Sequence, residues 1–331
     1  KIEVTTFRID GNYIANRKPE SVLFSASVTD DLKRRDFTIN AIALDAKGIY
    51  TDPFSGISDL KKGRLRAVGD PNIRFSEDAL RILRAIKFSA RLGFQIEKNT
   101  KKAMCENCHL LQNISNERII SELRQSFGTS PKTAYRLVQQ IKLFDYITNG
   151  FFKDHFKRKS NKIEKCNHLL EVFSVVLDNQ PGTFANLKKL KLSNSEIAHL
   201  KNLFLIKEQK NFSKVAIKKL LSQFDAADSN LPPVQKLVVL LDYKSRVYGF
   251  RKEKTMEIIN EILQNRECYS LRDLAINGRD LEHIPPSMRS KYLKTALETV
   301  IKNNKKNNKK DLMQIISENS KIFNKKDGVA Y

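Results

Sequence analysis

Cysteine is scarce in this chain, with four in 331 residues. That is too few for a disulfide framework at this length, and it fits a reducing cytoplasm. Acid is scarce as well: 60 Lys and Arg stand against 37 Asp and Glu, for a formal charge of +23 and a pI near 9.8. Such an excess points to a polyanionic partner, either nucleic acid or an anionic membrane. No run approaches the roughly 18 apolar residues of a membrane span, and Lys236 to Tyr243 (KLVVLLDY) is only a short core-like stretch. Nucleic acid is therefore preferred, with a merely Lys/Asn-rich composition as the plain alternative. There is no internal repeat, no signal peptide and no initiating Met. The first residues, IEVTTFR, read as a strand already in mid-sheet, so the sequence reads as a fragment lacking its N-terminus. An apolar fraction of 40% over this length predicts two to four small units with real cores.

Ser76 to Phe94, SEDALRILRAIKFSARLGF, is the most informative stretch. A serine and two acids predict a helix start, with Ser76 as N-cap and Glu77 and Asp78 in the first turn. Gly93 ends the helix, and Leu80, Leu83, Ile86 and Ala90 form its core stripe. Asp78, Arg81 and Arg84 follow at three-residue spacing, which sets a carboxylate beside guanidiniums on one face. A carboxylate accepts hydrogen bonds and a guanidinium donates them. Cytosine and adenine each present an amino donor beside a ring-nitrogen acceptor, and guanine and uracil present the reverse. One Asp/Arg pair can therefore accept C and A and reject G and U. An ordinary i,i+3 surface pair is the plain alternative.

Upstream, Ile2 to Arg8 alternates as a half-buried strand should. Asp10 to Glu20 is a polar loop, and DLKRRDFTINAIALDA (31–46) reads as a helix with Phe37, Ala41, Ile42 and Leu44 on its apolar face. IYTDPF gives a strand and a turn at Asp52-Pro53, and Leu65 to Val68 another strand. Beyond Ser76 nearly everything reads helical, with boundaries at Pro181-Gly182 and Pro232-Pro233. Cys105, Cys108 and His109 spell C-x-x-C-H, but the Lys-rich helical context argues against haem, and only Cys166 and His168 are offered as further zinc ligands. Lys302 to Lys310 (KNNKKNNKK) reads as a solvated or frayed helical stretch, with a grip on RNA backbone as the alternative.

KIEVTTFR, NRKPESVLF, DLKRRDFTINAIALD, DPFSGISDLKKGRLRAVGDP and RFSEDALRILRAIKFSARLGF, in this order and spacing, closely resemble the bacterial class II tRNA nucleotidyltransferases, the CCA-adding enzymes. Bacterial poly(A) polymerases are the sibling group. LRDLAINGRDL (271–281) resembles the tail of the Gram-positive type. The resemblance implies an α+β chain: part of a nucleotidyltransferase palm with a small mixed β-sheet as head (1–70), then all-α neck (71–150), body (151–265) and tail (266–331). It implies addition of C, C and A to the tRNA 3′ end from CTP and ATP, without a template and with release of pyrophosphate. The helical segments would hold the acceptor and T arms. A poly(A) polymerase and a non-catalytic RNA-binding remnant are the alternatives, and monomer or homodimer is left open.

The resemblance also implies the site. Arg35 and Asp36 match an Arg-Arg-Asp motif that contacts the nucleotide and its ribose, with Asn40 beside Asp36. Asp78 and Arg81 match the base-selecting motif, with Glu77 supporting Arg81 or the helix terminus and Arg84 as a candidate for phosphate contact. Arg17 matches the basic element of a flexible loop, and the full length of that loop favours complete CCA addition over CC addition. Glu3 stands where the family has an additional carboxylate. Catalysis would use two Mg2+ ions, but the family's Gly-rich turn and Asp-x-Asp occur here in no matching context. They are expected upstream of Lys1, which would leave the fragment inactive alone. No His-Asp dipeptide is present, so the phosphohydrolase appendage of some relatives is absent.

Overall fold

The computed structural model describes residues 4–11, 13–14, 18–157, 160–225 and 231–326. It divides into two compact units, 1–201 and 202–331. It is mostly helical with small β ladders, as the α+β reading expects, and the strands of the described residues pair in two-stranded ladders.

The first unit opens with a hairpin. Strand β1 (Arg8–Asp10) pairs antiparallel with β4 (Val22–Phe24), and β2 (Tyr13–Ile14) with β3 (Lys18–Pro19) inside the connecting loop. Of the strand expected over Ile2 to Arg8, residues 4–7 are not in a strand and Arg8 is, while Ile2 and Glu3 lie outside the described residues. Val4 is 90% exposed, so no face there is buried to enforce pairing. The helix expected over 31–46 is also shorter. Helix α1 (Val28–Lys33) is started by Ser27, whose Oγ accepts from the Asp30 amide at 3.3 Å. It stops at Arg34 because the Asp36 carboxylate accepts from its neighbouring Phe37 amide at 2.9 Å and draws the backbone into a turn. A 3-10 turn at Thr38–Asn40 follows, then β5 (Ala43–Leu44) paired with β6 (Tyr50–Thr51). Phe37 and Ala41 are buried as expected, but Phe37 is extended and bridged to Ala67 just before the 3-10 turn and Ala41 follows it, while Leu44 is exposed on a strand.

Asp52 starts helix α2 (Gly56–Lys61) by accepting from the amides of Gly56 and Ile57 at 2.6 and 3.0 Å. Gly56 is required there, since a Cβ would lie 2.1 Å from the Thr38 carbonyl oxygen. That close approach braces the turn that presents Asn40. Strand β7 (Arg64–Leu65) pairs parallel with β8 (Gln95–Ile96).

Between them stand α3 (Pro71–Glu77) and α4 (Leu80–Leu92). Asp70 caps α3, with Pro71 at its first position. Ser76 and Glu77 therefore end one helix and do not begin the next. Asp78 is extended (φ −138°, ψ 100°), and its carboxylate accepts from the Leu80 amide at 3.1 Å. The carboxylate sits at the joint of two helices. Helix α4 ends at Gly93, whose φ of 70° suits glycine. It packs on α6 (Asn116–Thr129) and α7 (Pro131–Gln140), which follow α5 (Lys98–Asn107). Leu83, Ile86, Ile119, Leu123 and Phe127 are fully buried between these helices. Each contributes about 1.5–3 kcal/mol by leaving water.

The second unit holds α8 (Lys214–Asp225), α9 (Pro233–Tyr248), α10 (Glu253–Gln264), α11 (Pro286–Lys302) and α12 (Lys309–Lys326). Between α10 and α11, the segment LRDLAINGRDL forms two 3-10 turns. Each is closed by a reciprocal capping box, Ser270 with Asp273 and Asn277 with Asp280. The basic run expected to be solvated serves this segment. Asn304 Oδ1 accepts from the Cys268 amide at 3.0 Å, Asn307 bonds the Ala275 amide and the Asp273 carbonyl, and Lys309 pairs with Asp280 at 2.6 Å.

Candidate functional site

A cavity of about 480 Å³ opens where the end of α1, the turn after it and the faces of α4 and α6 converge. Arg35, Asp36, Asn40, Asp78, Arg81 and Arg84 all line it. Six residues chosen from two separate motifs therefore share one site. Glu3 and Arg17 lie outside the described residues.

Five guanidiniums and two carboxylates line the cavity, and most of the guanidiniums are held in place. Asp31, buried behind α1, accepts from both Arg34 (2.6 and 3.0 Å) and Arg35 (2.9 and 3.3 Å). Burial pushes the Asp31 carboxyl up, but the hydrogen bonds and charges of the two arginines outweigh it and hold it below the usual carboxylate range. Arg81 donates through Nη1 to the Arg74 carbonyl and to Glu77 (3.0 and 2.7 Å), and through Nη2 to the Arg34 carbonyl at 2.9 Å. Glu77 thus supports Arg81, as the sequence suggests. Arg84 pairs with Asp36 at 2.6 Å and lies 5.4 Å from the centre of the Phe88 ring. Asp36 also accepts from Asn40 Nδ2 at 3.1 Å, across the 3-10 turn and not along an α-helix. A fork held from behind needs less ordering when it meets a phosphate or a base edge.

The two acids differ. Asp36 is engaged by Arg84, Asn40 and the Phe37 amide. Burial pushes the Asp78 carboxyl up, and the Leu80 amide with the charges of Arg118, Arg81 and Arg84 only partly offsets it. Asp78 is the acid in position to take a donor from a ligand.

Arg118 is the residue that sequence reasoning missed. It comes from α6, lines the same cavity, and its Nη1 is buried with no hydrogen-bond partner among the described residues. Its charge acts on Asp78 more strongly than that of Arg81 or Arg84. A buried donor left unpaired costs about 1–3 kcal/mol, which a ligand acceptor would recover. Its one sequence signal is a cation beside the buried pair Ile119-Ile120. Arg34, Leu80 and Phe88 also line the cavity without having been assigned to it.

Among the described residues no three His, Cys, Asp or Glu gather as a metal site. Cys105 and His109 are exposed, whereas Cys108 is buried, with its thiol pushed far up by that burial.

Three family models match the chain. The Poly A polymerase head domain covers residues 1–66, the "Probable RNA and SrmB- binding site of polymerase A" covers 93–153, and tRNA nucleotidyltransferase domain 2 covers 159–316. The CCA-adding enzyme of Staphylococcus epidermidis is 32% identical over 330 residues, 97% of this chain and 80% of the relative. That of Lactococcus lactis is 34% identical over 324 residues, 92% of this chain and 75% of the relative. The fold is shared with the crystal structure of the Bacillus stearothermophilus CCA-adding enzyme in complex with CTP, at a TM-score of 0.72 and 24% identity over 97% of this chain and 80% of that one. The identity and coverage of these relatives place this chain in the bacterial CCA-adding enzyme family of tRNA nucleotidyltransferases.

Proposed function

We propose that this protein adds C, C and A to the 3′ end of tRNA from CTP and ATP, choosing each base with side chains and releasing pyrophosphate. The observation that carries the reading is the cavity in which Asp78, Arg81 and Arg118 meet the Arg35–Asp36–Asn40 turn, in a chain whose relatives are CCA-adding enzymes. The poly(A) polymerase reading is not favoured by those relatives.

Asp78 accepts from the exocyclic amino group of cytosine or adenine, and Arg81, fixed by Arg74, Glu77 and Arg34, donates to the ring nitrogen beside it. Guanine and uracil meet this pair with donor against donor and acceptor against acceptor. Arg118 brings a further donor to the same end. Asp36 and Asn40 are assigned to the ribose 2′-OH, and Arg35 with Arg84 to the triphosphate. The reaction class draws on divalent metal held by carboxylates, and magnesium is the reading here. Asp36 is committed to Arg84 and Asn40, so the described residues do not form a metal pair, and their assigned chemistry is binding and orientation. Segments 1–70, 71–150, 151–265 and 266–331 are assigned as head, neck, body and tail. The last two are assigned to the acceptor and T arms of tRNA, by backbone and shape. No helix among the described residues is long and apolar enough to cross a membrane, and a cytoplasmic site of action is proposed.

The test uses the protein expressed with its complete coding sequence and a tRNA transcript that lacks its last three nucleotides. CTP alone should give two added C residues, and CTP with ATP should give CCA, read by sequencing the 3′ ends. Addition of A from ATP alone, with CTP unused, would overturn the reading in favour of a poly(A) polymerase.

A further inference from the structure

A second concavity, of about 600 Å³, shares no lining residue with the first. Lys62 and Arg64 come from the end of α2 and the start of β7, Gln95 from β8, and Lys98 and Lys101 from the first turn of α5. The parallel β7–β8 pair fixes these elements, since the amides of Gln95 and Glu97 donate to the carbonyls of Gly63 and Leu65 at 2.9 Å.

The charges here are arranged unlike those of the nucleotide cavity. Lys62, Lys98 and Lys101 make no ion pair among the described residues, and Arg64 stands 4.0 Å from Asp59, which is already held by Arg66 at 2.8 Å. The single acid of the lining, Glu97, is turned to the α5 N-terminus. It accepts there from the Asn99 and Thr100 amides and from Thr100 Oγ1 (2.8–3.0 Å). Burial pushes the Glu97 carboxyl up, but these bonds outweigh it and hold it low. Three lysines therefore converge without an ion pair among the described residues, beside an Arg64 that shares Asp59 with Arg66, and this excess of positive charge favours a polyanion. No aromatic ring lines the concavity, and the one large apolar contributor is Ile96, so nothing there stacks on a base. A site that offers charge and one amide without a stacking platform suits a phosphodiester backbone better than a free nucleotide. The helical part of the path between it and the base-selecting residues, Arg81 to Leu92 of α4, spans about 17 Å at roughly 1.5 Å per residue.

We propose that Lys62, Arg64, Lys98 and Lys101 form a sequence-independent docking site for the RNA backbone, which holds the tRNA whose end enters the first cavity. This deepens the tRNA reading and rests on it.

The test replaces Lys62, Lys98 and Lys101 together with Gln and measures tRNA affinity against salt. Each phosphate that is no longer neutralised lowers the slope of log K against log salt by about 0.7–0.9, so the slope should fall by about 2. CTP affinity and the melting temperature should stay as in the parent. If the parent binds tRNA and the variant keeps its slope, the docking site is overturned while the tRNA reading stands. If the parent itself does not bind tRNA, the reading beneath it fails. A saturable pyrophosphate site that the variant loses with no change in tRNA slope would show a free-anion pocket and overturn the RNA assignment.

Discussion

Around the α4 cavity, the guanidiniums of Arg34, Arg35, Arg81 and Arg84 are gripped by acids and carbonyls and still line open space. In the second unit, the ammonium groups of Lys218 and Lys244 serve the fold. Lys218, 1% exposed, pairs with Glu267 at 3.2 Å. Lys244 donates to the carbonyls of Ile206, Lys207 and Gln209 at 2.7–3.1 Å, with the rings of Phe212 and Phe250 each 5.5 Å away. The difference follows from the side chains. A rigid fork can be clamped on one edge and still offer another to a planar ligand. An ammonium on a flexible stem points its three donors wherever carbonyls gather. A net charge of +23 is thus not one polyanion-binding surface: part of it builds a ligand site and part holds helices together.

Three substitutions sharpen that contrast. The largest effect on ligand is expected from Asp78→Ala, which removes the acceptor for the base amino group. Preference for CTP over UTP should fall by about 10- to 100-fold, the worth of a hydrogen bond to a charged group, while tRNA affinity stays nearly unchanged. An undiminished preference for C would end that role. The same carboxyl gives a pH dependence. Its pKa is raised, so its ionised form is lost as pH falls through a value above the ordinary Asp range. Titrated CTP affinity should fall over that window in the parent and stay flat in Asp78→Ala.

Next is Lys244→Met, which leaves one buried and two half-buried carbonyls without their donor. It should cost about 1–3 kcal/mol, seen as a lower melting temperature, with CTP affinity unaltered. A weakened nucleotide site in this variant would break the division between the two uses of charge. Smaller again is Asp31→Asn, which loosens Arg34 and Arg35 from behind. CTP binding should weaken by roughly fivefold, about 1 kcal/mol, with base preference intact. Because the Asp31 carboxyl is held low, its contribution is present above the ordinary Asp range and disappears as pH falls through its depressed value.

Much of the site was legible because the two motifs that carry the family resemblance are each local in sequence. Arg35, Asp36 and Asn40 fall within six residues, and Asp78, Arg81 and Arg84 within seven, and all six reach the cavity. The helix boundaries around them were less so. Ser76-Glu77-Asp78 has the composition of a helix start, yet Asp70 and Pro71 had already started α3, and the chain extends at Asp78 before α4 begins. Phe37 has the spacing of a helical core residue, but its backbone is extended and bridged to Ala67, and it is buried against Phe88 from there. Arg118 was out of reach because only the packing of α6 on α4 brings it to the cavity. The Asn304, Asn307 and Lys309 contacts join positions about 30 residues apart, which a low-complexity run does not advertise.

Whether Asp78 and its neighbouring guanidiniums read the base is settled by competition binding of CTP, ATP, GTP and UTP to this chain. CTP and ATP should bind at least tenfold more tightly than GTP and UTP, and Asp78→Ala should bring all four together. Equal binding of all four nucleotides to the parent would rule out base reading by these side chains.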